Sequence, residues 1–260
     1  MSSVPLVDRV LRHERLIMAF GVGVVILLSW TYLLGGAGTM QEMGDMLMPM
    51  STWPWTVEHA LLMFVMWLVM MAAMMLPSAA PMILLYTTIS RRSRTADSGF
   101  SASVLFMLGY LVVWGMFSLG AVLAHFFLEW SALLSPMMES GNALLSGSLL
   151  LGAGIYQFTP LKRSCLGRCR SPLEFLTSHW RSGKRGALAM GMHHGLYCVG
   201  CCWGLMLLLF VGGVMNLLWI AALATLVFIE KLAPGGEWLG RAAGAVLIAF
   251  GIAFLWPPLM

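Results

Sequence analysis

Between Met190 and Trp203 the chain places five metal-binding or redox-active side chains within ten positions: His193, His194, Cys198, Cys201 and Cys202. His194, Cys198 and Cys201 follow at steps of 4 and 3, so a helix would carry an imidazole and two thiols on one face. Imidazole and thiolate together suit copper or zinc. The competing structural reading takes cysteine as a small hydrophobe and histidine as a link to a neighbouring helix. Five such residues so close together favour a metal or redox site over that reading.

A second constellation lies upstream. His59, Met63, Met66, Met70 and Met74 follow at steps of 4, 3, 4 and 4, which form one helical stripe, with Met71 and Met75 beside it. Thioether sulfur is a soft ligand that selects Cu(I) over harder ions. Methionine is also a flexible apolar filler, and for one stripe alone packing is the simpler account. Just before it, Met40, Met43, Met46, Met48 and Met50 fall within eleven residues that also include Glu42 and Asp45. Such a segment can collect Cu(I), or lie on a membrane as an amphipathic element. A third cluster, Lys162 to Arg170, holds Cys165 and Cys169 among basic residues, a setting that favours thiolate. Its alternative role is contact with anionic headgroups.

The elements that position these residues follow from composition. Of 260 residues, 60% are hydrophobic and 10% charged, and mean hydropathy is +0.86. A soluble domain carries about a quarter of its residues as charges, so the bilayer must be this chain's solvent. Crossing a core about 30 Å thick takes about 20 apolar residues. Spans read at 16–35, 58–88, 101–127, 142–160, 187–211, 215–229 and 239–256, with Gly212-Gly213 as a tight outer turn between the fifth and sixth. All 15 basic residues precede the first span or lie in alternate loops, with three at Arg9, Arg12 and Arg15 and three at Arg91, Arg92 and Arg94. Seven more run from Lys162 to Arg185, and Lys231 and Arg241 complete the set. Basic short loops stay cytoplasmic.

The expectation is therefore an all-α, polytopic membrane helix bundle of about seven transmembrane helices, N-terminus in and C-terminus out, forming one integral domain over 1–260. The first span is expected as an uncleaved anchor, against the alternative of a signal peptide. Trp53, Trp55, Trp130 and Trp256 on one side, and Trp180 and Trp238 on the other, suit interfacial belts. Glu230-Lys231 reads as a headgroup-level end of the sixth span, and Glu58 and His125 as interfacial. Gly147, Gly152 and Gly154 read as close-packing positions. Counting rise from the span ends sets Met70 level with Cys198, Met74 with His194 and Met66 with Cys202. The second and fifth spans are thus expected to be neighbours, with Met70 or Met74 in reach of His194, Cys198 or Cys201.

At these motifs the chain resembles a bacterial family of predicted metal-binding integral membrane proteins, catalogued as a domain of unknown function. The resemblance rests on Met71 to Pro77, Pro160 to Lys162, Cys165 to Pro172, Gly191 through Met206, Asn216 and Glu230-Lys231, and it covers roughly residues 58–235. It implies metal binding in a bacterial inner membrane and names no activity. The pairs Met70/Met74 and Met71/Met75 also look like the pore motif of eukaryotic copper-uptake channels, although the surrounding chain does not.

The reading taken forward is transport or delivery of Cu(I) through a site between the second and fifth spans. Its residues are His194, Cys198, Cys201, Cys202, His193, Met70, Met74, Met66, Met63 and His59, with Cys165 and Cys169 as receivers. Zinc, which has little use for thioethers, is the lesser candidate. Expected partners are the lipid bilayer, the metal ion, and a metallochaperone or membrane metalloenzyme, with no nucleic acid. The alternatives are a membrane thiol–disulfide oxidoreductase using Cys198 and Cys201, or a non-catalytic assembly subunit. No nucleotide-binding loop is visible, which argues against an ATP-driven pump.

Overall fold

The computed structural model describes residues 4–38, 40–43, 46–49, 55–92, 100–135 and 138–256. Its helices are α1 (Val4–Leu34), α2 (Val57–Arg92), α3 (Phe100–Trp130), α4 (Ala143–Tyr156), α5 (Pro160–Arg170), α6 (Pro172–Ser178), α7 (Gly183–Leu207), α8 (Leu209–Gly212), α9 (Leu217–Leu232) and α10 (Gly236–Leu255). The methionine-rich segment after α1 forms a small antiparallel ribbon, β1 (Met40–Met43) with β2 (Met46–Pro49), pairing Met40 with Pro49 and Met43 with Met46. Asp45, Met50, Trp53 and Arg94, all singled out in the sequence, lie outside the described residues.

Among the described residues, five helical segments are long and apolar enough to cross a membrane: Glu14–Leu34, Val57–Ser90, Phe100–Trp130, Gly183–Gly212 and Gly236–Leu255. A sixth is reached when α4 and α5, bent by 64° at a short break, are counted as one. The two remaining expected spans are short. α4 has 14 residues and α9 has 16, about 21 and 24 Å at the rise of a helix, against a hydrocarbon core of about 30 Å.

The turn before α9 is closely packed. α7 ends at Leu207, and Leu208, Leu209, Phe210 and Val214 are all buried. Phe210 packs against Trp67 of α2 and His125 of α3, and the chain before α4 covers the turn, with Ser140 donating to the Phe210 carbonyl and Val214 to that of Met138. The Gly212-Gly213 turn is therefore closely packed, with Gly212 half-buried and Gly213 buried. Gly213 takes a positive φ of 93° there, a conformation that suits glycine.

Two pairs of helices meet backbone to backbone through glycine. In a membrane, lipid is as apolar as leucine, so close packing of small residues drives helix association. α3 lies along α7, where Gly109 faces the backbone of Leu188 and Met192, and Gly191 faces that of Phe106. α4 lies along α10, where a Cβ on Gly154 would stand 2.8 Å from the Gly244 carbonyl oxygen and one on Gly147 would stand 3.1 Å from that of Gly251. Gly147 and Gly154 thus pack as expected, whereas Gly152 faces nothing within 4 Å. Gly191→Ala should destabilise the protein by about 1–3 kcal/mol through overpacking, and Gly152→Ala should leave it unchanged or slightly more stable. Thermal unfolding in detergent checks both; equal melting for the two variants would contradict the α3–α7 seat.

Candidate metal centre

α7 turns the side chains of His194, Cys198, Cys201 and Cys202 into the bundle, all of them buried. The Cys201 and Cys202 thiols donate back to the Cys198 carbonyl at 3.1 and 2.8 Å, which fixes both sulfurs on the helix face that carries Cys198. Four other helices then close on this face. Lys231 Nζ of α9 donates to Cys198 Sγ at 2.9 Å and to Ser78 Oγ of α2 at 3.2 Å. Tyr110 Oη of α3 stands 3.1 Å from Cys198 Sγ and 3.3 Å from the Met75 carbonyl oxygen. Met75 Sδ of α2 lies 3.8 Å from Cys202 Sγ, and Cys169 Sγ of α5 lies 4.0 Å from Cys201 Sγ.

α5 is held in place by charge. Its first turn is set by Thr159, whose hydroxyl accepts from the Lys162 N–H, and by Pro160 at the first helical position. Lys162 Nζ then meets Glu230 Oε1 of α9 at 2.6 Å, both side chains being almost fully buried, and also donates to Gln157. Arg170 donates to the Glu230 and Ala233 carbonyls at 3.3 and 2.9 Å, capping the C-terminal end of α9. Cys165 rests against Gly200, where a Cβ would stand 2.8 Å from its sulfur, and Tyr156 donates to the Gly200 carbonyl. Gly200 thus leaves room for the Cys165 thiol of α5.

Several expectations are corrected by this geometry. α7 lies chiefly against α3, and the sulfur contact between α2 and α7 is that of Met75 with Cys202. Cys202 stands level with Met75, about nine residues along α2 from Met66. Met63, Met66, Met70 and Met74 are all buried, but among the described residues the thioether that reaches the thiols is that of Met75. Glu230 and Lys231, expected at headgroup level, are 2% and 6% exposed and sit at the centre of the site.

The histidines divide. His194 is enclosed by rings, stacked on Tyr110 and Phe106 at centroid distances of 5.7 and 6.2 Å with Phe175 at 5.6 Å, and its buried Nδ1 has no hydrogen-bond partner. His193, about 100° further round the helix, is exposed and faces His179 of the α6–α7 connection at 5.8 Å. His59 is far from the thiols, sixteen residues or about 24 Å before Met75 along α2, against Trp55 at 4.9 Å. His125, expected at the interface, is buried, and Trp67 Nε1 stands 3.5 Å from its Nδ1. Among the described residues, no three His, Cys, Asp or Glu side chains converge as a closed metal-binding group. Three thiols instead share one helix face, with Met75 against Cys202 and Cys169 against Cys201.

The sequence reading missed Lys231, Tyr110 and the contact role of Met75. A signal for Lys231 existed, because the apolar run 215–229 is too short to span and its charged end has no need to reach the surface.

Comparison with known proteins points to copper. Neither a curated protein nor a solved structure matches the chain. The PpoB2 family model, described as copper chaperone, matches residues 64–254. That stretch holds every residue of the sulfur cluster and leaves out the β1–β2 ribbon, His59 and Met63. The match spans well over half of the chain, which therefore belongs to the PpoB2 copper chaperone family.

Proposed function

We propose that this protein is a membrane-embedded Cu(I) chaperone that holds its cargo between sulfur atoms of α7 and those of α2 and α5. One observation carries the reading: Cys198, Cys201 and Cys202 are buried on one helix face, with Met75 and Cys169 within 3.8 and 4.0 Å of two of them. Two sulfurs bound to one ion at about 2.3 Å each stand at most about 4.6 Å apart, so both pairs are spaced to share a metal. Thiolate and thioether select Cu(I), and a pair of sulfurs meets its low coordination demand better than the four ligands zinc prefers. His194, with its unpaired Nδ1 one turn from Cys198, offers a further ligand.

Cargo movement follows the sulfur. The buried stripe Met63, Met66, Met70 and Met74 leads along α2 toward Met75, and the methionine-rich ribbon stands before its start. Beyond Met75 the path runs over Cys202 and Cys201 to Cys169, with Cys165 next on the same helix. The receiving partner is a metallochaperone or a membrane metalloenzyme. The oxidoreductase alternative would use Cys198 with Cys201; the copper reading is preferred to it because the family model that matches the chain is described as copper chaperone.

The membrane is a bacterial inner membrane, the short helices α4 and α9 complete a seven-segment bundle, and the N-terminus is cytoplasmic. Lys162 and Lys231 are buried and do not count as loop charges, and the orientation rests on the other basic residues of the sequence, which the seven-segment topology would gather on one side. Reporter fusions at Ser135 should read outside and at Ser178 inside; the reverse pair would overturn the orientation. Wild-type protein loaded under reducing conditions should retain Cu(I), and Cys198→Ser/Cys201→Ser should weaken retention by more than the roughly 10–100-fold that loss of an outer-shell partner costs. Met75→Leu should weaken it as well, and Met70→Leu should leave equilibrium affinity nearly unchanged. Retention of copper by the double cysteine variant, measured by competition with a Cu(I) chelator, would refute the site.

A further inference from the structure

α7 carries an imidazole that the sulfur cluster does not use. His193 is exposed, and its ring lies 5.8 Å from that of His179, centre to centre, at an angle of 73°. His179 is held in place from its own helix, α6. Its backbone N–H donates to the Phe175 carbonyl, its ring stacks on that of Phe175 at 5.2 Å, and its Nδ1 stands 2.7 Å from Ser178 Oγ. A hydrogen bond at one ring nitrogen sets the orientation of a metal-ligating histidine and leaves the other nitrogen to the metal. Nε2 of His179 is that nitrogen here. An ion bound at about 2.1 Å by two imidazoles, each nitrogen about 1.1 Å from its ring centre, sets the centres at most about 6.4 Å apart. The observed separation is within that reach.

We propose that His179 and His193 form an exit site for Cu(I), a two-nitrogen station between the sulfur cluster and the acceptor. The proposal rests on the sulfur cluster being the cargo site. Cys198, Cys201 and Cys202 are each 1% exposed, so an acceptor cannot touch those thiols directly. Two routes of contact join the pair to them. Phe175 stands 5.6 Å from the ring of His194, so a single aromatic ring separates His179 from the inner histidine. On the other side, His193 borders Tyr197 at 6.3 Å. Arg168 of α5, which lies between Cys165 and Cys169 in the chain, covers the Tyr197 ring at 5.6 Å. Imidazole accepts copper but is a harder ligand than thiolate, so the pair holds the soft ion less tightly than the buried sulfurs do. A weaker station with one exposed ligand lets the ion change partners without ever being free. The ion exchanges ligands and keeps its charge, so no oxidant or reductant takes part.

The test uses the full chain in detergent under reducing conditions, titrated with Cu(I) in competition with a water-soluble Cu(I) chelator. Wild-type protein should hold one ion tightly and, beyond one equivalent, a second more weakly. His179→Gln and His193→Gln should each lower retention of the second ion by at least about tenfold, the least that disturbing a metal site costs, and leave the first in place. Either variant serves if the other fails to assemble. The rate at which the chelator withdraws the first ion should also fall several-fold in them at unchanged affinity. A wild-type chain that binds no second ion, a second ion that survives in both variants, or an unchanged rate of withdrawal would overturn the exit site and leave the sulfur site standing. Retention of the first ion by Cys198→Ser/Cys201→Ser would instead overturn the sulfur site itself.

Discussion

A short helix carries two opposite charges into an apolar interior at consecutive positions, Glu230 and Lys231 of α9. Consecutive residues on a helix point about 100° apart, so the two cannot share a partner, and each must find one on a different neighbour. Glu230 finds Lys162 on α5, while Lys231 finds Cys198 on α7 and Ser78 on α2. Burying either charge alone would cost several kcal/mol, so α2, α5 and α7 are all tied to the end of one helix. The sulfur cluster lies where those ties meet. Arg170 adds a further tie by capping the last carbonyls of α9 from the end of α5, next to Cys169.

Glycine supplies the second constraint. The close seat of Gly109 and Gly191 brings the backbones of α3 and α7 together, and Tyr110, the next residue on α3, then reaches the Cys198 sulfur. On the far side of α7, Gly200 leaves room for Cys165 of α5. A helix face with three thiols is pressed between a hydroxyl, an ammonium, a thioether and a fourth thiol. Membrane burial makes that arrangement consequential, because no water is at hand to complete the coordination of an unsatisfied group.

The parts of this arrangement that could be read from sequence are those set by local periodicity. Steps of 4 and 3 placed His194, Cys198 and Cys201 on one face of a helix, and that face is the buried one. The Met63 to Met74 stripe is buried for the same reason. What periodicity leaves open is which of two adjacent stripes meets a neighbour, and here Met75, a turn of about 100° from Met74, is the residue that touches Cys202. Depth was misread because counting from span ends assumes that helices end at the membrane surface. Lys231 is buried, where an acid-base dipeptide at the end of an apolar run ordinarily signals the interface. Tyr110 carried no sequence signal, since one tyrosine on an apolar helix has many uses.

The central claim is that copper is held by sulfur from these helices and stays monovalent there. X-ray absorption at the copper edge of the loaded full-length protein tests it most directly. The account predicts a Cu(I) edge with sulfur as the main nearest scatterer and a low coordination number, altered when Met75 and Cys169 are replaced together. A Cu(II) edge, or a first shell made of nitrogen and oxygen alone, would contradict it.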